Sequence, residues 1–187
     1  MGVGQDFTLR QLLIADVARH RQLFGDERPA KGVSVWLSML SPRFLPNLLY
    51  RLSYRAQQAG IAPLAKVFSM LNVVIFGIEI ATVCKIGPGL FFPHTHGTVI
   101  GAVSIGKDAV IYQGVTLGAK DLDFTYDAAH RPTVGDNVMF GAGSKVLGGI
   151  VLSNDVVVAA NAVVLSSFSE GAVLGGIPAK IIKSRDL

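Results

Sequence analysis

The sequence predicts a mainly β protein, a parallel β-helix of six-residue repeats behind a short α-helical segment, on three observations. The first is composition: of 187 residues 50% are apolar, yet only 8% are aromatic and 16% charged, and 21 are glycine. A mean hydropathy of +0.48 built on aliphatics and glycine fits either a membrane protein or a repetitive β fold. The second is a run of six apolar residues at intervals of six: Val134, Phe140, Val146, Leu152, Val158 and Val164. The third is a change of period. Up to about Leu71 apolar residues recur at three and four, and beyond residue 78 that spacing disappears.

The helical segment comes first. Leu9, Leu12, Leu13 and Val17 form one stripe, and Leu45, Leu48, Leu49 and Leu52 another that closes at Gly60. Three short helices are expected, broken near residues 25–31 and at Ser41-Pro42. This places a helical segment at 1–75 and a β domain at 76–187. Charge divides along the same line: the first segment carries nine basic and four acidic residues, the second eight and nine. The basic excess is read as a solvated helical face, with membrane contact at most peripheral. Nucleic-acid binding is not expected, because the basic residues are not interleaved with stacking aromatics.

The β domain follows from the hexads. After each leading apolar residue stands a mostly small one (Gly135, Gly141, Ser153, Ala159), and four after it a small or aliphatic one (Val138, Ser144, Val156, Ala162). An earlier register repeats the pattern with Ile105, Ile111 and Leu117, and a still earlier one with Ile80, Ile86 and Phe92. Each hexad makes one flat side of a triangular prism with its leading aliphatic inward, so three hexads close one coil. Tight corners call for glycine. The stretch from Ile86 to Gly106, free of Asp, Glu, Lys and Arg, is long enough to span a bilayer, but its five glycines, two prolines and two histidines argue against a lipid-exposed helix. Flat prism walls also suggest that several chains pack together, most simply as a homotrimer.

The register breaks twice, between Phe92 and Ile105 and between Leu117 and Val134. The second break holds a polar loop, 119–132, with Asp121, Asp123, Asp127, His130 and Arg131, a candidate for substrate binding. One cysteine and no signal-peptide pattern point to a reducing, cytoplasmic location. Cys84 and Trp36 are read as packing residues, His20 as a solvated helix residue, and His96, in the fifth slot of its hexad, as inward-facing.

With the repeats in place, several runs resemble the serine O-acetyltransferases among the hexapeptide-repeat acyltransferases: Gly77-Ile-Glu-Ile, Lys85-Ile-Gly-Pro-Gly-Leu-Phe, His94 to Gly97, Val110-Ile-Tyr-Gln-Gly-Val-Thr-Leu-Gly, Arg131-Pro-Thr-Val-Gly-Asp-Asn-Val and Gly141-Ala-Gly-Ser-Lys-Val-Leu-Gly, with Gly175-Gly-Ile-Pro-Ala-Lys as end cap. The resemblance implies a left-handed β-helix and direct transfer of acetyl from acetyl-CoA to a hydroxyl, with no acyl-enzyme and no metal. It implies His94 as general base and Glu79, standing where the family has aspartate, as its orienting partner. It further implies substrate contacts at His130, Arg131 and His96, and contacts to acetyl-CoA at Gly118, Ala142, Gly143, Ala160 and Lys180, along a groove between subunits.

Departures from the family are equally specific. The acid before the base is Pro93 here, the acid of the helical half aligns with Arg28 beside Asp26 and Glu27, and the family's Arg-His pair reads His130-Arg131. Loss of both acids removes charge-assisted bonds to a substrate ammonium, about 1.5–3 kcal/mol each. A sugar, polysaccharide or natural-product hydroxyl is therefore the rival acceptor to serine. A zinc hydratase using His94, His96 and His130 between subunits and a non-catalytic scaffold are further alternatives. Because the chain stops soon after the end cap, no complex of the cysteine-synthase type is expected.

Overall fold

The computed structural model describes residues 7–26, 28–123 and 125–184. Four helices come first: α1 (Leu9–Leu23), α2 (Val33–Met39), α3 (Leu45–Gln58) and α4 (Ala62–Phe76). Helix α1 opens with a capping box, in which Thr8 Oγ1 accepts from the Gln11 N–H and the Gln11 side chain accepts from the Thr8 N–H at 2.8 Å. It buries Leu12, Leu13 and Val17. Trp36 does not pack as expected: α2 is held through Val35 and Met39, and the indole is half exposed.

One helix more is present than the three expected. After Gly60 the chain turns and re-enters helix at Ala62-Pro63, where proline fits the first turn. Helix α4 has no polar face to reveal its period, because it buries Ala65, Asn72 and Phe76 while leaving Leu64, Val67, Met70, Val74 and Ile75 exposed. It ends on Gly77 in the left-handed conformation, φ 62°, a conformation glycine adopts without steric cost.

The strands are β1 (Ile78–Ile80), β2 (Lys85–Ile86), β3 (Thr98–Ile100), β4 (Ser104–Ile105), β5 (Val110–Ile111), β6 (Thr116–Gly118), β7 (Thr133–Val134), β8 (Met139–Phe140), β9 (Lys145–Leu147), β10 (Val151–Leu152), β11 (Val157–Val158), β12 (Val163–Val164), β13 (Ala172–Gly176) and β14 (Ala179–Ser184). They make three walls. Wall one stacks β1, β3, β6, β9 and β12; wall two β2, β4, β7 and β10; wall three β5, β8, β11, β13 and β14. Pairing is parallel except for β14, which turns back antiparallel on β13 and closes the stack.

The hexad residues line the interior. Ile80, Ile100, Leu117, Val146 and Val164 form the column of wall one, Ile86, Ile105, Val134 and Leu152 that of wall two, and Ile111, Phe140, Val158 and Leu174 that of wall three. All are buried, with Cys84, Leu90, Ala109, Val115, Val138, Val156 and Ala162 filling the spaces between columns. Across the first irregularity Ile80 pairs with Ile100, so this coil is two residues longer than three hexads, and the surplus lies at the corner carrying His94.

Candidate active site

The first corner of the prism joins wall three to wall one and contains residues 93–97, 112–115, 141–144 and 159–162. Its turns are stacked by backbone bonds: Gly97 N–H to Gly77 O (2.9 Å), Gly114 N–H to His96 O (3.0 Å), Gly143 N–H to Gln113 O (2.9 Å) and Asn161 N–H to Ala142 O (2.9 Å). Gly97, Gly114, Gly143 and Asn161 occupy equivalent places with φ of 74°, 70°, 73° and 58°. The left-handed turn keeps this edge narrow and its backbone accessible.

His94 stands exposed at the head of that edge. Thr95 Oγ1 donates to Phe76 O at 2.8 Å, so the segment carrying the imidazole is tied to the end of α4. Glu79 points outward from β1 beside Val99, on the wall this corner leads into. Glu79 thus lies on the wall that the His94 corner leads into, and among the described residues no hydrogen bond joins the two. His96 does not face inward as its slot suggested. The wider coil turns it out, and its ring packs over Gly77, where a Cβ would lie 3.2 Å from ring Cδ2.

Ala142, Gly143 and Ala160 lie farther down the same edge. Lys180 stands opposite Gly175 at the closing end of wall three. Two residues of this edge escaped sequence reasoning. Gln113 Oε1 is buried beside the stacked turns without a donor among the described residues, and Lys145 Nζ donates to Gly114 O. Their only sequence signal is position, inside the glycine-bearing runs 110–118 and 141–148.

Gly118, His130 and Arg131 belong to the second corner, between walls one and two. Here loop 119–132 folds around Arg131. Its Nε donates to Asp123 Oδ2 at 2.9 Å, its Nη1 to Gly101 O at 3.0 Å, and its guanidinium lies 3.8 Å from the Tyr126 ring centroid. Tyr126 in turn donates to Ala102 O at 2.7 Å. Asp123 is kept below its ordinary carboxyl range: hydrogen bonds from Thr125, Arg131 and Asp127 outweigh the opposing desolvation. Arg131 therefore anchors the loop, with its charge met by Asp123. His130 is exposed, 3.5 Å from the Asp127 carboxylate, and lines a cavity of about 270 Å³ with Lys120, Asp121, Leu122, Gly148 and Gly149.

Asp26 is engaged by Arg28 (2.8 Å) and lies 4.0 Å from Arg21. The hydrogen-bonded Arg28 holds its carboxyl well below the usual range. Glu27 lies outside the described residues. His20 is half-buried rather than solvated. It stacks on Phe24 at 4.6 Å and meets the edges of Phe44 and Phe91, with Arg43 at 3.0 Å from Nε2. Cys84 sits in the core, where burial pushes its thiol up to about 12, so it does not serve as a nucleophile. No group of three metal-ligating side chains is gathered among the described residues.

Comparison with known proteins agrees with this architecture. A family model described as the hexapeptide repeat of succinyl-transferase matches residues 133–166. A serine acetyltransferase of Helicobacter pylori (strain 26695) is 41% identical over 157 residues, which is 83% of this chain and 90% of that protein. A serine acetyltransferase solved in complex with CoA superposes with a TM-score of 0.77 at 29% identity, covering 91% of this chain and 68% of that one. The soybean serine acetyltransferase complexed with serine gives 0.78 at 28% identity, covering 95% and 70%. The fold is thus a left-handed β-helix with N-terminal helices.

Proposed function

Because this chain belongs to the serine acetyltransferase family, we propose that it transfers acetyl from acetyl-CoA to the hydroxyl of serine with His94 as general base. His94 takes the hydroxyl proton as the oxygen attacks the thioester carbonyl. The tetrahedral intermediate expels the CoA thiolate, which recovers that proton from the imidazolium. Imidazole is the side chain best suited to take up and return a proton near neutral pH, which this exchange requires. Glu79 orients the ring and stabilises its charged form.

The observation that carries this reading is the single edge shared by His94, Ala142, Gly143 and Ala160. A narrow strip of small residues ending at a histidine fits an extended thioester whose reactive carbonyl arrives at the base. Lys180 then meets a phosphate. In a homotrimer the second corner of one copy lies against the first corner of the next, which brings Gly118 to the acetyl-CoA, and His130 and the Arg131-anchored loop to the acceptor. The exposed apolar side of α4 supports such association. The relatives named above are serine enzymes, which favours serine over a saccharide acceptor or a hydratase substrate. A cytoplasmic site of action fits a CoA thioester substrate, and no helix among the described residues is long and apolar enough to cross a membrane.

The test is His94→Ala assayed for serine-dependent release of CoA. Turnover is expected to fall between about 10²- and 10⁴-fold with KM for acetyl-CoA little changed. A variant within about tenfold of the parent rules His94 out as the base.

A further inference from the structure

We propose that Asp16 and Arg51, distant from the reacting atoms, are positioning residues for His94, an assignment that rests on the reading of His94 as the base. The pair is buried, with side chains 0% and 2% exposed and 3.0 Å between Asp16 Oδ1 and Arg51 Nη2. Burying two charges is costly, and their mutual attraction offsets this only when the remaining donors and acceptors are also satisfied. Here those bonds run to one stretch of backbone. Asp16 Oδ1 accepts from the N–H groups of Gly89 (3.0 Å) and Leu90 (2.9 Å). Arg51 donates to the carbonyls of Ile86 (2.5 Å) and Gly87 (2.7 Å). Asn47 Nδ2 completes the set with Leu90 O at 2.7 Å.

The captured turn leads through Phe91, Phe92 and Pro93 to His94. Phe91 is itself pinned by the rings of His20 (5.2 Å) and Phe24 (6.2 Å). On the far side of His94, Thr95 and Gly97 are bonded to Phe76 and Gly77. The imidazole therefore stands exposed on a short span whose Phe91 and Phe92 are buried, with Phe91 bonded to Ala109 O and to the Ile111 N–H, and the helical segment holds that span at both ends. Its upstream anchor is the ion pair shared by α1 and α3. Placement of a base within a few tenths of an ångström governs rate far more than substrate affinity, so loosening this anchor acts on turnover.

The experiment uses the full chain carrying Arg51→Lys, which keeps the buried charge balance but cannot reach both carbonyls and both carboxylate oxygens at once. Asn47→Ser, which gives up the bond to Leu90 O and the longer one to Asp16 Oδ2 (3.3 Å) but leaves the ion pair in place, is the milder companion should Arg51→Lys fail to fold. Folding is checked by circular dichroism. For Arg51→Lys, kcat is expected to fall about tenfold or more, and for Asn47→Ser about threefold. The KM values for acetyl-CoA and serine stay within twofold, and the low-pH limb of the kcat profile moves as His94 shifts relative to Glu79. A folded variant with parental kcat and an unmoved pH profile overturns the proposal. His94→Ala measured in parallel separates the two readings: if it is inactive while folded Arg51→Lys is normal, positioning alone fails; if it is active, the base assignment fails and takes the positioning with it.

Discussion

His20 shows how a single side chain acquires a role its local sequence does not declare. On an amphipathic helix a polar residue near the end reads as solvated, yet the ring is enclosed by Phe24, Phe44 and Phe91. Burial lowers its pKa, Arg43 and Arg21 lower it further, and Asp26 opposes weakly. A histidine whose folded pKa lies below its unfolded value near 6.5 binds fewer protons folded than unfolded in the window just under 6.5. Stability there rises with pH and is lost as pH falls through that window. The midpoint of thermal unfolding is expected to drop between pH 7 and 5, and His20→Phe, which keeps the ring contacts, is expected to flatten that dependence. A variant as acid-sensitive as the parent assigns the effect to other groups. The Asp123–Arg131 pair was hidden for the same reason. Both residues were visible as loop charges, but that one neutralises the other depends on how residues eight apart fold back beneath Gly101.

At the scale of elements, the β domain was legible because its rule is one-dimensional. A hexad needs only its own six residues to declare an inward position, and the leading residues from Ile80 to Val164 all occupy interior columns. Phe140 illustrates the energetics: it is fully buried between Ile111 and Val158 in the column of wall three. Phe140→Ala is expected to cost about 3–5 kcal/mol through lost burial and an unfilled cavity, measurable by chemical denaturation. Where two coils depart from eighteen residues, periodicity fails. Ile100 lies off the hexad frame and His96 turns outward because the two surplus residues before Ile100 displace the side chains of that corner, and the frame is regained from Ile105 onward. Helix α4 was missed for a related reason. Propensity and periodicity detect contrast between faces, and Leu64, Val67 and Val74 on one side against Ala65 and Phe76 on the other offer none.

For the whole molecule, that uniform apolarity bears on the proposed homotrimer. Leu64, Val67, Met70, Val74 and Ile75 of α4 face outward while Ala65, Asn72 and Phe76 are buried, which leaves an apolar strip on the surface. Charging the outward side tests whether it lies in the subunit contact. If the proposed homotrimer packs through this face, the double variant Met70→Glu, Val74→Glu shifts the mass from trimer toward monomer in light scattering, with loss of turnover as the proposed second-corner contacts of the neighbour are removed. An unchanged mass places the contact elsewhere, on the flat walls.

The helical segment also grips the β-helix at a distance. Arg19 of α1 donates to Asn137 Oδ1 at 2.9 Å across 118 residues of sequence, and to Asp108 O at 3.4 Å. During synthesis at about 5–20 residues per second, α1 waits on the order of ten seconds before the turn it holds has been made. The coils can stack one upon the next as they emerge, but the strap across their corner closes only when a later coil is in place. A nascent chain cut short before Asn137 carries the complete His94 segment without this strap, so the contact couples the earliest part of the protein to the completion of its β-helix.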